Sequence, residues 1–441
     1  MSARLGNRPP RADLIAAGIA VGLFAVAAVT GGVLYLLGRP VHASTPPLFA
    51  QWLPHVGPGT PLAVLVAVLV WWRGPALAAR MPWRPLLALS YVTTVGWTLS
   101  LALIDGWRRG IADRLTTEHE YLHEVPGITD IPATLAGFTT RILDFQPDSW
   151  TTHVSAHPPG ALLVFVWLDR AGLSGGAWAG VACILVAALV GVAVPQTVRL
   201  LGTDDAARAV LPFVVLFPGA VWFGVSADGL FAGVTAGGIA LLAFGVTRGR
   251  PAGAFAGGVL LAFGCYLSYG LLLMAVIALA VIVAAGRHRR VAVWAFAGAA
   301  PVVAAFTAAG FSWLTGYHLL IERYYQGIAS DRAYGYWVWA NLALMVVCAG
   351  PAAAVILRRA VTVARPRARD AVWILPLAAA VAIVAADLSG YSKAEVERIW
   401  LPFAVWLMAG AALIPPADRR TWLAVQAAVA LTVNHLVLTV W

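Results

Sequence analysis

Apolar residues run along this chain in blocks of roughly 17–25, the length that crosses a ~30 Å hydrocarbon core as a helix. The blocks fall at 14–37, about 57–72, 85–104, 158–173, 176–198, 208–225, 228–247, 252–267, 269–285, 291–314, 337–357, 371–388, 399–415 and 421–441. Backbone groups in lipid must be satisfied within their own segment, so the pattern predicts helices rather than sheet. The expected fold is all-α: a polytopic transmembrane helical bundle, one integral membrane domain over 1–441. One long polar interruption breaks it. Residues 105–157 hold eight acids, four histidines and three tryptophan or tyrosine rings. Within it, 131–145 has apolar residues at helical spacing with Thr139, Thr140 and Arg141 on another side. That pattern predicts short amphipathic helices lying on a membrane surface.

Composition agrees. The chain has 441 residues, 61% hydrophobic and 11% charged, against about 25% charged in soluble domains. The net charge of +10 invites a nucleic-acid reading, but its placement speaks for topology instead. Linkers at 1–13, 73–84, 199–208, 248–250, 287–290, 358–370 and 418–420 hold 20 of the 30 basic residues and five of the 20 acids. Basic linkers are cytoplasmic, so the 105–157 loop, 315–336 and 389–398 face outward. The N-terminus is then inside and the C-terminus outside, with about 13 crossings. Parity poses a question: 157 to Arg199 needs an odd number of crossings, yet 158–173 and 176–198 resemble two spans. Either 158–173, which begins with two prolines and ends in Asp169-Arg170, enters without crossing, or 131–145 supplies an embedded helix. Residues 1–13 carry Arg4, Arg8 and Arg11, and the run after them is too long for a signal-peptide core, so it reads as a retained span. The three cysteines lie in apolar spans and suggest neither disulfides nor a Cys-based zinc site. With 29 arginines, one lysine and abundant Ala and Gly, the usage points to a GC-rich bacterial genome, hence a bacterial cytoplasmic membrane. No internal repeat is visible, which counts against a repeat-built transporter.

The candidate chemistry follows the outward loop. Asp105 closes the 85–104 span at the membrane boundary, and a second acidic group follows in Thr117-Glu118-His119-Glu120-Tyr121-Leu122-His123-Glu124. The loop exits through His157-Pro158-Pro159-Gly160. Further on come Phe217-Pro218-Gly219, Ser226-Ala227-Asp228 and Glu395-Val396-Glu397-Arg398-Ile399-Trp400-Leu401-Pro402. In this order, over roughly 85–245 and 385–415, the chain resembles the GT-C superfamily of integral membrane glycosyltransferases, and around the His-Pro-Pro exit the protein O-mannosyltransferases. It departs from the latter in having dispersed acids and Gly160 where they have Leu. The resemblance implies transfer of a sugar from a polyprenyl-phosphate donor to an acceptor hydroxyl on the outer face. The acceptor would be an envelope glycan, a lipid or a protein, with membrane lipids around it. Such transfer needs a general base, carboxylates near an oxocarbenium-like centre and fixed positive charge for the departing phosphate. Asp105 is the first choice for the base and Glu120 the second. Arg398, supported by Lys393 or Arg323, would meet the phosphate. His157 would hold the Pro-Pro turn or touch the donor, with His153 four residues before it, and Asp228 would line the site. No cofactor is implied, and a divalent cation stays open.

Other readings compete. His119-Glu120-Tyr121-Leu122-His123 matches H-E-x-x-H, which on a helix gives two zinc ligands and a base; Glu124 and Pro126 speak against that helix. A flippase for lipid-linked sugars would want ionisable groups in mid-span, where few occur, and a non-catalytic scaffold is the third alternative. Residue by residue, Arg398 could anchor at the interface or pair with Glu395, Asp228 could cap the 228–247 span, and the aromatic 315–340 region could be an interfacial belt or a platform for a sugar ring.

Overall fold

The computed structural model describes residues 10–364 and 370–439. Arg4 and Arg8, the arginines at 365, 367 and 369 of the 358–370 linker, and the last two residues of the expected 421–441 span lie outside the described residues.

Among the described residues, seven helices are long and apolar enough to cross a membrane: Arg11–Leu36, Thr60–Arg80, Trp83–Asp105, Gly176–Leu201, Ala227–Arg248, Arg290–Ala308 and Ala371–Leu388. Tyr334–Cys348 and Pro351–Val363 make an eighth if counted as one broken span. The expected figure of about 13 also counted Pro251–Leu267, Tyr269–Ala284 and Leu401–Leu413, which are shorter than a full crossing. The outer helices expose what lipid would cover, for example Ile19, Val29, Trp294 and Phe296. Ala227–Arg248 runs through the interior instead. Its Gly233 lies so close to a neighbouring helix that a Cβ would sit 1.9 Å from Val186 O.

Three expectations need correction. The 337–357 block is not one straight span: its two helices meet at 105°. Gly350 adopts φ +77°, Pro351 lacks an N–H, and Gln426 fills the corner, donating to Ala349 O at 2.8 Å. The 421–441 block is helical over Arg419–Leu436, after which Val437–Thr439 pairs antiparallel with Ala50–Trp52, two three-residue strands in an otherwise helical chain. The 131–145 stretch divides into Ile131–Ala136 and Phe138–Arg141 and packs on the bundle rather than only on a lipid surface. Phe138 is fully buried against Trp150 and Phe311.

The parity question has a geometric answer. Pro159–Arg170 has 12 residues, about 18 Å of helix, and cannot span a ~30 Å core. Its first turn follows His157, and at its far end Arg170 donates to Ile128 O and Thr129 O at 3.2 and 3.1 Å. Both ends meet the 105–157 segment, and this helix is too short for a crossing, whereas Gly176–Leu201 is long and apolar enough to make one. Gly160 is needed there: a Cβ would lie 2.5 Å from Tyr266 O.

The arginine-rich linkers collect at one end of the bundle. Arg358 and Arg359 grip the buried Asp13, Arg208 donates to Met81 O at 2.9 Å, and Arg420 donates to Trp72 O at 3.2 Å. The 105–157 segment and the 389–398 turn occupy the other end.

Candidate functional site

The site begins where Ala227–Arg248 starts. Ser226, not Asp228, caps this helix: its Oγ accepts from Gly229 N at 3.1 Å and donates to Trp222 O at 2.7 Å. The Asp228 carboxylate is left for Arg398, whose Nη1 lies 2.7 Å from Oδ2. Arg398 Nη2 reaches Glu395 Oε2 at 3.1 Å, and Glu395 Oε1 takes Arg332 Nη1 at 2.9 Å. Ala394 and Glu395 sit at φ +69° and +63°, conformations that cost about 1–3 kcal/mol each outside glycine. Asn341 holds that turn: it accepts from Ala394 N at 3.2 Å and donates to Ser392 O and Asp387. Burial works against the Arg398 charge, but Asp228, Glu395 and Glu120 outweigh it and push its pKa above the ordinary arginine value. Burial likewise opposes ionisation of Glu395, and Arg332 and Arg398 overcome it to keep its pKa low.

The loop supplies the other half. Glu120 precedes the one-turn helix Tyr121–Glu124 and places Oε1 3.0 Å from His153 Nδ1, both side chains being buried. His153 N donates to His119 O at 3.0 Å, which docks Thr152–Ala156 on this corner. Tyr121 Oη lies 2.8 Å from His157 Nδ1, which is also 2.8 Å from His153 O. A carbonyl only accepts, so Nδ1 carries the His157 proton. Burial pushes the His157 pKa down to about 4, against the pull of Asp228, so the ring is neutral at pH 7. Burial resists ionisation of Glu120, yet His153 and then Arg398 bring its carboxyl below the usual range. The Tyr121 hydroxyl is pushed up by burial, Asp228 and Glu120. The charge of Arg398 acts on Glu120, Tyr121 and His157 alike, so the loop, the His-Pro-Pro exit, Asp228 and the Glu395–Arg398 turn share one buried end.

Not every expected residue joins this group. Asp105 stands beside it, held by His55, Arg109 and Arg114. Arg323 pairs with Asp144 and donates to Ser155 Oγ at 3.2 Å. The Lys393 ammonium turns inward onto Ala329 O and Arg332 O at 2.6 and 3.0 Å, under the rings of Tyr324 and Tyr325. In the H-E-x-x-H match, His119 precedes the helix that starts at Tyr121 and lies half exposed beside Glu118, while Glu120 turns inward to His153. His119 and His123 therefore do not form one helical face, and no group of three His, Cys, Asp or Glu side chains among the described residues is arranged to hold a metal. In the aromatic region, Tyr336 and Trp337 tie down the first span and the following loop through Ala27 O and Val41 O.

Tyr121, His55, Arg114 and Arg332 were missed as site residues. Tyr121 lay inside the H-E-x-x-H match, and the others carry no spacing signal. Glu397, in the same turn as Glu395 and Arg398, is buried, and burial raises its pKa to about 7. A cavity of about 200 Å³, bounded by Thr116, Leu122, Val125, Phe165, Leu168 and Asp169, adjoins the cluster. Phe165 stacks on Tyr121 at 5.1 Å, so cavity and cluster meet at this ring pair.

No protein-family profile matches the chain, and no curated protein matches it in sequence. Among solved structures, it is similar to the oligosaccharyltransferase of Archaeoglobus fulgidus in complex with Zn and sulfate, at 12% identity and a TM-score of 0.39. The likeness covers 78% of this chain and 50% of that one, so the chain spans half the length of its structural neighbour.

Proposed function

We propose that this protein is a membrane glycosyltransferase of the GT-C kind. It moves a sugar from a polyprenyl-phosphate donor to an acceptor hydroxyl on the outer face of the bacterial cytoplasmic membrane. The observation that supports this reading is convergence: Glu120, His153, His157, Asp228 and Arg398 come from distant motifs and meet at the end of the bundle opposite the arginine-rich linkers. By the distribution of arginines, that end is extracytoplasmic, the N-terminus is inside and 105–157 is the catalytic loop of a single domain.

The chemistry follows from the side chains. The acceptor oxygen attacks the anomeric carbon while a loop carboxylate takes its proton. The bond from that carbon to the phosphate oxygen breaks, and its electron pair leaves with the lipid phosphate. We assign the base to Glu120 rather than Asp105. Both oxygens of Asp105 are taken up by His55, Arg109 and Arg114. Glu120 faces His153, which can pass the proton on. Asp228 stands by the oxocarbenium-like centre, and Arg398, oriented by Asp228 and Glu395, meets the phosphate.

The test is sugar transfer in membranes carrying equal amounts of protein. Glu120→Gln is expected to abolish transfer, and full activity in both Glu120→Gln and Asp105→Asn would sink the carboxylate-base reading. Loss in Asp105→Asn alone would return the base to Asp105. Mass analysis of lipid-linked sugars and envelope glycans after deletion identifies donor and acceptor.

A further inference from the structure

Asp105 sits at the centre of an ion cluster formed with His55, Arg109 and Arg114. His55 Nε2 lies 2.8 Å from Oδ1, Arg114 Nη2 3.0 Å from Oδ2 and Arg109 Nη2 3.5 Å from Oδ1. The Asp105, Arg114 and His55 side chains are 4%, 8% and 13% exposed. The other ring nitrogen of His55, Nδ1, is 2.7 Å from Leu53 O. Both His55 nitrogens thus face acceptor oxygens, and the ring bridges Leu53 O and the Asp105 carboxylate.

The cluster is tied to the C-terminal strand. Arg114 donates to Thr439 O and, at 3.2 Å, to Thr439 Oγ1. Val437–Thr439 pairs with Ala50–Trp52, and the pairing continues as Leu53 N donates to Leu436 O at 3.0 Å and His55 N to His435 O at 2.8 Å. The ion cluster and the ladder close a ring through the root of the loop. On the inner side, Arg114 and Glu120 act on each other's charge.

We infer that His55 and Arg114 are positioning residues. They clamp Asp105 at the root of the catalytic loop and bind that root to the C-terminal strand. The site role assigned to them rests on the proposed transfer reaction; the clasp itself does not. The charged and titratable groups around His55 are Asp105, Arg109 and Arg114 from the loop root and His435 from the C-terminal helix. His435 Nε2 lies 3.0 Å from Thr60 Oγ1.

Hydrogen exchange on the full chain in lipid nanodiscs, corrected for intrinsic rates, tests the clasp over 50–55 and 435–439. His55→Ala is expected to speed exchange there by about tenfold or more, the size of a lost charge-assisted hydrogen bond. His55→Gln keeps a neutral donor and restores protection. Arg108→Gln, a change at a surface residue 85% exposed, is the control. Wild-type protection in His55→Ala would overturn the clasp. Transfer kinetics on the same variants decide the positioning role. A lower kcat in His55→Ala, rescued in His55→Gln, supports it, and unchanged kcat with altered exchange overturns it. Absence of transfer in the wild type itself would count against the glycosyltransferase reading and leave the exchange result standing.

Discussion

Replacing Arg398 by glutamine removes a buried cation and leaves Asp228 and Glu395 without it in a site where all three side chains are 5–13% exposed. Glu395 keeps Arg332, whereas the only ion pair recorded for Asp228 among the described residues is the one it loses. Breaking a buried pair from one side costs about 3–5 kcal/mol, because the remaining charge is uncompensated. Asp228→Asn is milder. Arg398 retains Glu395, the amide oxygen can still accept, and the loss is about 1.5–3 kcal/mol, that of a charged hydrogen bond. The double variant removes both members of the Asp228 pair, so its loss should fall short of the sum by about 1 kcal/mol or more, within the range of coupled neighbours. Reversible unfolding by SDS in mixed micelles, followed through tryptophan fluorescence, gives the three free energies. An Arg398→Gln protein within about 0.5 kcal/mol of wild type, or additivity within that margin, would refute the claim that this pair ties the start of Ala227–Arg248 to the Glu395–Arg398 turn.

Three further outcomes follow from the same geometry. Because Glu120 is held below the usual carboxylate range, it stays ionised as pH falls, and transfer should reach half its maximum only below about pH 4.3; a half-loss at pH 5 or above in the pH–rate profile counts against it as base. Burial raises the Glu397 pKa from 4.5 to about 7, so the folded state binds more protons than the unfolded one between those values and stability falls as pH rises through that window. Glu397→Gln should remove this slope, about 3 kcal/mol in all, in unfolding titrations at pH 4.5 and 8, and an unchanged slope refutes it. Gly160→Leu drives a side chain into Tyr266 O and should cost 1–3 kcal/mol or more, whereas a thermal melt at the wild-type temperature would show that the helix can shift.

What the chain discloses about its own fold depends on how far apart the interacting residues lie. Arginine placement foretold which linkers gather, because lipid excludes charge wherever the helices pack. Here Asp13 meets Arg358 and Arg359, and Arg420 meets Trp72. The corner at Gly350-Pro351 was written in two residues, but an apolar run of 21 averages over it. The three-residue strands at Ala50–Trp52 and Val437–Thr439 are too short for any periodicity to register. Asp228 and Arg398 were legible as residue types in the order of the motifs, yet their pairing depended on Ser226 taking the cap and freeing the carboxylate.

The acids of the loop make the physical point most clearly. In sequence, Asp105 and Glu120 are both loop carboxylates, and either suits a base. Their roles separate through partners the sequence holds elsewhere. His55, 50 residues before Asp105, joins Arg109 and Arg114 in surrounding one carboxylate with donors, and Arg114 also donates to Thr439. His153 and Arg398 set the other in a buried, electrostatically balanced corner. A carboxylate saturated by donors holds structure together, and one facing a histidine is placed to exchange a proton. The distinction between clasp and base is therefore a property of the tertiary contacts. The exchange and transfer measurements on His55 and Glu120 variants bear on it from opposite sides.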